Sequence, residues 1–401
     1  MARILFLSHR IPYPPNKGDK IRAWAMIEHL LKAGHSISLG CFIDDPRDWE
    51  HIPYLESRLD TVKAVSLPRW RQAIGAALGL LRGRALSLSA YPVHAIRRFI
   101  RAERRKGYDL IIAYSGAGAA LLERDDWLRI PVLLDLVDVD SAKWAAYAQS
   151  AGGIMAWLYR REARLLARAE IAFTSYARAT LLVSEAEAAL YRDRLPSLLA
   201  VRVHAVTNGV DTNRFDPERL RQLPEAGRIL FTGAMTYPPN VEAVLWFAAH
   251  VWPHVRAQRP EARFVIAGGP VDAKVAALAA DDSGITVLGY VADMELELAR
   301  AECVVAPLRT ARGIQNKVLE GMAMAKPVIA SPQAFEGIDA VPDRHLLVAD
   351  GSDAFVSAVL TLGDDPVRRR QLGQAARRQV MRAHSWSTSL AKVEMLLAGW
   401  L

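Results

Sequence analysis

Cysteine is nearly absent from this chain of 401 residues, and its apolar runs are shorter than a membrane span requires. The two cysteines, Cys41 and Cys303, lie within the apolar stretches LGCFI and AECVVAPL, which predicts buried thiols rather than a disulfide framework or a metal cluster. The start, MARILFLSHRIPYPPN, is apolar over too few residues for a signal peptide. We therefore expect a cytoplasmic location.

Several signatures of nucleotide and metal binding are also missing. The loop after the first predicted strand lacks G-x-G-x-x-G, and the chain lacks G-x-x-x-x-G-K-[ST], which argues against a dinucleotide oxidoreductase and a P-loop NTPase. No His, Cys and Asp cluster has metal-ligand spacing, so we expect no metal and no other cofactor. The basic residues come without a recognition helix, a stacking pattern or a zinc motif, so nucleic acid is not an expected partner.

The residues that are present predict an α/β protein. Apolar runs typical of strands alternate with amphipathic helical segments, as in parallel sheets covered by helices. The predicted strands of the first half are 4–7, 36–42, 61–67, 110–114, 131–138, 170–175 and 201–206. The series then restarts, with predicted strands at 228–233, 262–269, 285–290, 303–308, 327–331 and 345–350.

This repetition predicts two Rossmann-like, doubly wound domains. A chain of this length exceeds what one hydrophobic core organises, and Gly, Asn, Asp and Pro interrupt both periodicities in 207–227. We expect a first domain at 1–206, a second at 207–384 and an amphipathic terminal helix within 385–401. Ligands of open parallel sheets bind beyond the carboxyl ends of the strands, so two facing sheets would place a site in the cleft between the domains.

Positive charge is concentrated in the first half of the chain. Residues 1–206 carry 30 Lys and Arg against 21 Asp and Glu, whereas the remainder carries 21 against 22. Much of the excess lies in 67–109, where basic residues flank apolar ones at helical spacing. Two interpretations stay open: a surface that binds anionic lipid, which would make the protein peripheral on the inner face of the cytoplasmic membrane, or a solvated basic face.

The junction after the first strand contains candidate binding residues. Gly18 and Lys20 stand at the start of a predicted helix, where a glycine lets the backbone approach an anion. The alternative is a simple turn glycine. His9 follows the first strand and is expected on the ligand side. Asp138, in DLVDVDS at the end of a buried strand, is either a ligand contact or a helix cap.

The strongest group of candidate site residues lies in the segment 306–331, APLRTARGIQNKVLEGMAMAKPVIAS. A strand is followed by a loop and then a helix whose first turns hold Lys317 and Glu320, three residues apart and so on one face. A cation and free N–H groups at a helix start can hold a diphosphate, and a carboxylate one turn later can accept hydrogen bonds from ribose hydroxyls. The alternative is an ordinary surface Lys–Glu pair.

Three motifs in the second half resemble a known family. NGVDTNRF (208–215), GYVAD (289–293) and KVLEGMAMAKPVIAS (317–331), in this order, resemble the retaining glycosyltransferases of family 4, which have the GT-B fold. Across almost the whole chain, SHRIPYPPNKGDKIR, DLVDVDSAKW and GAMTYPPNVEAVLWF look like the sugar transferases of exopolysaccharide and PEP-CTERM/exosortase loci in Gram-negative bacteria.

The resemblance implies metal-independent transfer of a hexose-type sugar, with retention, from a nucleoside-diphosphate sugar to a lipid-linked or polysaccharide acceptor. The C-terminal domain would hold the nucleotide and the N-terminal one the acceptor, and the terminal helix at 385–401 would cross back onto the N-terminal domain. Glu320 matches the second glutamate of the family's E-x7-E motif and would bind the ribose. Gly18 and Gly233 match glycines near the phosphates, and the Tyr290 and Val291 backbone would grip the base.

Two departures from the family pattern concern charge. Arg312 stands where the first glutamate of E-x7-E is expected, so it either reads the carboxylate of an acidic sugar or pairs with a phosphate or a local acid. Met235 stands where a phosphate-binding Arg is usual, which leaves Lys317, Arg309 and Arg312 to supply that charge. Gly313 and Ile314 complete the predicted donor-binding loop.

Other function classes stay open at this stage. The same scaffold supports a nucleotide-sugar epimerase or a phosphorylase, because fold does not determine reaction. Arg312 and Met235 also allow a non-catalytic sugar-binding or scaffold protein. On the acceptor side, the predicted residues are His9, Lys20 and Asp138.

Overall fold

The computed structural model describes residues 1–103, 106–123, 129–220, 222–279, 283–311 and 313–400. These residues form two compact units. The first is Met1–Thr207 with Leu390–Leu401, and the second is Asn208–Ser389. Each unit is a parallel sheet with helices packed on it.

The sheet of the first unit has seven parallel strands in the order β3-β2-β1-β4-β5-β6-β7. The reversal of direction at β1 and β4 is the point where ligands bind in doubly wound sheets. The strands are β1 (Arg3–Ser8), β2 (Ser36–Ile43), β3 (Thr61–Ser66), β4 (Leu110–Tyr114), β5 (Val132–Val137), β6 (Ala179–Leu182) and β7 (Val203–Ala205).

Helices follow most strands of this unit, as the alternation of periodicities predicts. They are α1 (Gly18–Lys32), α2 (Ile52–Arg58), α3 (Arg69–Leu81), α4 (Leu86–Ser89), α5 (Val93–Glu103), α6 (Ser115–Ala119), α7 (Asp140–Ser150), α8 (Gly153–Tyr176), α9 (Glu185–Arg192) and α10 (Ser197–Ala200), with a 3₁₀ helix at Pro46–His51.

The strand predicted at 170–175 is wrong. These residues belong to the long helix α8, and the sixth strand of the sheet is β6, a few residues further on. The short apolar run was misleading because α8 buries one face at four-residue spacing, through Glu162, Leu166, Glu170 and Thr174. Two of these four residues are carboxylates, which masks the helical period in a hydropathy pattern.

The second unit has a six-stranded parallel sheet in the order β10-β9-β8-β11-β12-β13. Its strands are β8 (Arg228–Thr232), β9 (Arg263–Ala267), β10 (Ile285–Gly289), β11 (Cys303–Ala306), β12 (Val328–Ala330) and β13 (Leu347–Val348). Its helices are α11 (Pro217–Leu220), α12 (Pro238–His250), α13 (Trp252–Gln258), α14 (Ala273–Ala276), α15 (Met294–Arg300), α16 (Asn316–Ala323), α17 (Pro332–Phe335), α18 (Gly351–Asp364) and α19 (Pro366–Ala383), and α20 (Trp386–Ala398) follows.

Both cysteines are buried and free, as predicted. Burial raises the pKa of each thiol, Cys41 and Cys303, to about 12, so they act as small apolar side chains. Across the described ranges, the helices fall short of the length and apolar character needed to cross a bilayer.

Candidate functional site

Lys317 occupies the first turn of α16, just beyond the strand β11. Its side chain is buried, and Nζ donates a hydrogen bond of 2.5 Å to Oδ1 of Asn240. The ammonium also lies 4.3 Å from the centroid of the Phe231 ring, on the neighbouring strand β8. The same amide of Asn240 donates from Nδ2 to the carbonyl of Ala234 at 2.9 Å. The cation is therefore held in one position at the carboxyl end of the sheet.

Burial lowers the pKa of Lys317 to about 7, and the nearby carboxylate of Glu320 opposes that shift. An anion arriving at Nζ would favour the charged ammonium and restore its proton. Binding of a phosphate at this position is therefore coupled to uptake of a proton near neutral pH.

Glu320 lies one turn further along α16. Burial raises the pKa of Glu320 to about 7, opposed by the charges of Arg214 and Lys317. Among the residues that the structure describes, its carboxyl group forms no ion pair with Lys317, whose hydrogen bond goes to Asn240. The alternative of an ordinary surface Lys–Glu pair does not describe this geometry, because Lys317 is buried and engaged elsewhere.

The raised pKa of Glu320 predicts a pH-dependent stability. Between about pH 4.5 and pH 7 the folded protein keeps a proton that the unfolded chain has released, so the stability contributed by this group falls as pH rises. Glu320→Gln removes that loss. We expect its thermal midpoint to match the wild type at pH 4.5 and to exceed it by about 2–4 °C at pH 8, an effect on the order of 1 kcal/mol given the partial exposure of the side chain.

Calorimetric scans of both proteins across this pH range check the prediction. Glu336→Gln, at an exposed position of the same unit, is the matched control and should leave the pH dependence unchanged. A constant difference between Glu320→Gln and the wild type across the range would contradict the expectation.

Gly233 follows β8 and borders the Lys317 ammonium. Its φ of +147° lies in a region that L side chains rarely adopt. A Cβ at this position would lie 2.6 Å from Nδ2 of Asn240 and 3.1 Å from Nζ of Lys317. Lys317, Asn240 and Gly233, which we call the lysine site, thus combine a cation and the amide that positions it with a backbone position that has no room for a side chain.

The other predicted donor residues lie around the ends of these strands. Tyr290 and Val291 follow β10, and the Tyr290 side chain is 80% exposed. The guanidinium of Arg309 lies over the Trp246 ring, with 5.6 Å between its Cζ and the ring centroid, and 3.9 Å separates its Nε from Oε1 of Glu242. Arg309 is therefore paired with α12.

The loop before α16 is described in part. Gly313 has a φ of +69°, and its carbonyl accepts a hydrogen bond from the Gln315 side chain. The side chain of Ile314 packs into the hydrophobic core, so only its backbone is suited to a ligand contact. Arg312, predicted to bind the sugar or a phosphate, lies outside the described residues.

In the first unit, Gly18 begins α1, and a Cβ there would meet no heavy atom within 4 Å. The space next to its backbone is therefore open, as an anion contact requires. Lys20, expected on the acceptor side, is instead buried, and its Nζ donates to Asp48 at 2.7 Å. Lys20 therefore has a structural role, because its ammonium group is already engaged in a buried ion pair with Asp48.

His9 and Asp138 line one cavity of about 290 Å³, formed where β1, β4 and β5 end. Nε2 of His9 lies 3.3 Å from Oδ2 of Asp19, and its ring stacks on Tyr114 at a centroid distance of 5.9 Å. Asp138 accepts a hydrogen bond of 2.7 Å from Lys143. We call this space the N-terminal cavity.

Sequence reasoning missed Asn240 as a site residue. The signal available was its place in TYPPNVEA, where a polar amide falls in the first turn of a helix that follows a strand end. The partnership with Lys317 spans 77 residues of sequence, so no local pattern indicates it.

Residues 226–365 match the family model described as "Glycosyl transferases group 1". The match covers most of the second unit, including Gly233, Lys317 and Glu320. It supports the group 1 glycosyltransferase interpretation of that unit.

Two curated proteins are similar in sequence. A GDP-mannose-dependent monoacylated alpha-(1-6)-phosphatidylinositol monomannoside mannosyltransferase of Corynebacterium glutamicum is 34% identical over 146 residues, which span 33% of this chain and 38% of that protein. An uncharacterized 44.6 kDa protein in the cps region of Klebsiella pneumoniae is 22% identical over 372 residues, 90% of both chains.

Solved structures confirm the predicted GT-B fold. The sucrose-phosphate synthase of Thermosynechococcus elongatus superposes with a TM-score of 0.72 at 17% identity, covering 100% of this chain and 99% of that one. Anabaena Alr3699/HepE, crystallised with UDP and glucose, gives a TM-score of 0.68 at 15% identity, covering 99% and 100%.

Proposed function

We propose that this chain, with a group 1 glycosyltransferase match over residues 226–365 and the GT-B fold, transfers a hexose-type sugar from a nucleoside-diphosphate sugar to a lipid-linked or polysaccharide acceptor. The reaction would retain the anomeric configuration and serve exopolysaccharide or other cell-surface glycan synthesis. The names of the similar proteins support a nucleotide-sugar donor and a glycan product, since they include a GDP-mannose-dependent transferase, a protein of a cps region and a complex with UDP and glucose.

The observation that carries the proposal is the lysine site. A buried ammonium, positioned by Asn240 beside a glycine, can stabilise the negative charge that develops on a departing diphosphate. Asn240 fixes the position of this group, and a bound phosphate would favour its charged form, so the group needs little reorganisation in the transition state. The N-terminal turn of α16 adds backbone N–H groups to the same region. We therefore propose that transfer proceeds without a metal ion.

Glu320 is proposed to hold the donor ribose. A carboxylate one turn beyond the lysine can accept hydrogen bonds from two neighbouring hydroxyls. The backbone at Tyr290 and Val291, which follow the edge strand β10, is proposed to contact the base. Arg309 and Gly18 remain proposed phosphate contacts, and the association with PEP-CTERM/exosortase loci also remains a proposal.

A ligand-binding experiment tests the proposal directly. Bound ligand raises the unfolding temperature according to RT ln(1 + [L]/Kd), so a thermal-shift series with UDP, GDP, ADP and their hexose conjugates should identify one base. Release of that nucleotide from its sugar conjugate in the presence of a membrane extract then measures transfer. A protein that no nucleotide stabilises, or that binds nucleotide and never releases it from a sugar, would contradict the proposal.

We also propose that α3 attaches the protein to an anionic membrane surface. Trp70, Ile74, Leu78 and Leu81 recur on one face of this helix and are between 42% and 83% exposed. Arginines 69, 71, 82 and 84 flank them and are exposed as well. Apolar side chains between basic ones match a bilayer of anionic lipids, with each basic residue contributing about 1 kcal/mol near the surface.

Substituting both Ile74 and Leu81 with Ser should weaken co-sedimentation with phosphatidylglycerol vesicles by at least about tenfold, because burial of each side chain contributes roughly 1.5–3 kcal/mol. The matched control is Leu198→Ser, on α10, which is 84% exposed, close to Leu81 at 83%. Equal binding by the wild type and the double variant would show that the apolar face of α3 does not insert, and a wild type that does not bind the vesicles would assign the basic stretch to a solvated face.

A further inference from the structure

We propose that the N-terminal cavity binds one neutral sugar ring, the terminal residue of the acceptor glycan. This inference rests on the proposed function and narrows it, because it selects a glycan end with uncharged hydroxyls over a bare lipid phosphate or a uronic acid. The cavity, of about 290 Å³, is close to the lower end of the roughly 300–1,000 Å³ range of small-molecule sites. Such a volume suits a single ring.

The cavity lies at the reversal point of the first sheet. Its polar groups come from the ends of three strands and from the segments that follow them, including His9 after β1, Ser115 after β4 and Asp138 after β5. Residues of α8 close the opposite wall, among them Leu166 and Phe173. The cavity is built within one unit, so its shape is set by a single packed sheet and its helices.

The charges around the cavity disfavour an anionic ligand. Four carboxylate side chains line it, from Asp19, Asp138, Asp140 and Glu170, and Lys143 is the one lysine among the described residues of the lining. Arg10, just outside the lining, pairs with Asp19 at 2.6 Å, which leaves the other three carboxylates with Lys143. That lysine is already engaged, since Nζ lies 2.7 Å from Asp138 and 3.5 Å from Asp140. A phosphate or a uronate entering this space would lose its hydration and meet like charges, which is unfavourable at low dielectric.

Sugar hydroxyls complement the same set of groups. Ionised carboxylates only accept hydrogen bonds, and each hydroxyl of a sugar ring has a proton to donate. Hydrogen bonds to ionised groups are about twice as strong as those between neutral groups, so a neutral polyhydroxyl ligand would gain most here. Burial raises the pKa of Tyr91 to about 12, so its hydroxyl stays protonated and can donate in turn.

His9 forms part of the cavity wall. Its Nε2 faces the Asp19 carboxylate at 3.3 Å, while Nδ1 is enclosed and has no hydrogen-bond partner within the described part of the chain. Because Nδ1 is enclosed, it is not exposed to the cavity, and His9 contributes to the wall through a ring that Asp19 and Tyr114 hold in place.

The apolar part of the lining suits the ring faces of a sugar. Leu88 and Leu166 contribute aliphatic surface, and the aromatic residues Tyr91 and Phe173 also line the cavity. Most ligand sites combine such an apolar wall with a few placed polar groups. Ser115 and Val137 also line the cavity, and their φ values are +68° and +70°. These backbone conformations cost about 1–3 kcal/mol each and are concentrated at functional sites of proteins.

Saturation-transfer NMR without any nucleotide tests the inference. The probes are the methyl α-glycosides of glucose, galactose and mannose, with methyl α-glucuronide and glycerol phosphate as anionic counterparts. We expect at least one neutral glycoside to bind, and both anions to bind at least tenfold more weakly. Asp140→Asn should weaken binding of that neutral glycoside at least tenfold, since an amide replaces a pure acceptor.

Glu56→Gln is the matched control, because it makes the same chemical change at an exposed position on α2. Tyr91→Phe provides a second variant that keeps the shape of the wall if Asp140→Asn does not fold. Tighter binding of either anion, failure of every neutral glycoside to bind, or equal affinities in the wild type and both cavity variants would overturn the proposal. Nucleotide-induced thermal shifts are recorded in parallel, so that a protein binding glycosides and no nucleotide refutes the proposed function alone.

Discussion

Lys317→Met is expected to lower kcat/KM for sugar transfer by about 10²–10³-fold, the effect of removing one preorganised group that stabilises developing charge. Methionine approximates the length of the lysine side chain without its charge. The phosphates of the donor would lose their buried cation, so the nucleotide-induced thermal shift should shrink as well. Measurement of initial rates and of thermal shifts with the preferred donor checks both expectations.

A matched control for this variant exists in the same unit. Lys326 is also buried, and its Nζ donates to the carbonyl of Ala299, away from Gly233 and Asn240. Burial lowers the pKa of Lys326 to about 8, so Lys326→Met removes a comparably desolvated ammonium. We expect it to change stability and to keep transfer near the wild-type rate. Wild-type transfer by Lys317→Met would remove the basis of the proposed function.

Gly233→Ala is expected to lower transfer about 10²-fold while most of the fold is retained. The added Cβ would approach Nδ2 of Asn240 to 2.6 Å and Nζ of Lys317 to 3.1 Å, so the Asn240 amide must move and the cation loses the partner that positions it. Misplacement of a catalytic group by about 1 Å commonly costs such a factor. The φ of +147° adds backbone strain of about 1–3 kcal/mol, visible as a lower thermal midpoint.

Gly351→Ala separates the effect of backbone strain from the effect of intrusion into the lysine site. Gly351 begins α18 with a φ of +81°, and a Cβ there would meet no heavy atom within 4 Å. The control therefore introduces comparable backbone strain in the same unit without intrusion into the lysine site. Transfer near the wild-type rate in Gly351→Ala, alongside the loss in Gly233→Ala, assigns that loss to the site. Equal losses in both variants would assign it to reduced stability.

Much of the fold could be predicted because parallel strands buried on both faces read as short apolar runs. LIIAY at 110–114 coincides with β4, and the run at 285–290 differs from β10 by one residue. The prediction failed at 170–175, where a helix carries polar residues on its buried face. Glu162 accepts hydrogen bonds from Leu86 N and Ser87 N, and Glu170 accepts one from Ser141 N. Those carboxylates are buried only because they meet the first turns of other helices.

At the candidate site, too, the sequence predicts some features and only the structure reveals the others. The placement of Lys317 and Glu320 on one helical face follows from a spacing of three within a single helix, so the sequence alone indicates it. The charge state of the pair depends on what surrounds it. Burial brings both pKa values to about 7, and no motif encodes burial.

The amino-acid sequence by itself determined the alternation of strands and helices, the two repeated series and the helix that carries Lys317 and Glu320, because these features depend on residues within about one element of each other. Tertiary structure alone decided that Asn240 positions Lys317, that Lys20 forms an ion pair with Asp48, and that His9 and Asp138 line one cavity. The physical reason is strand order. In both sheets, strands distant in sequence become neighbours, as β1 and β4 do and as β8 and β11 do, and side chains at their ends meet only after the sheet has formed.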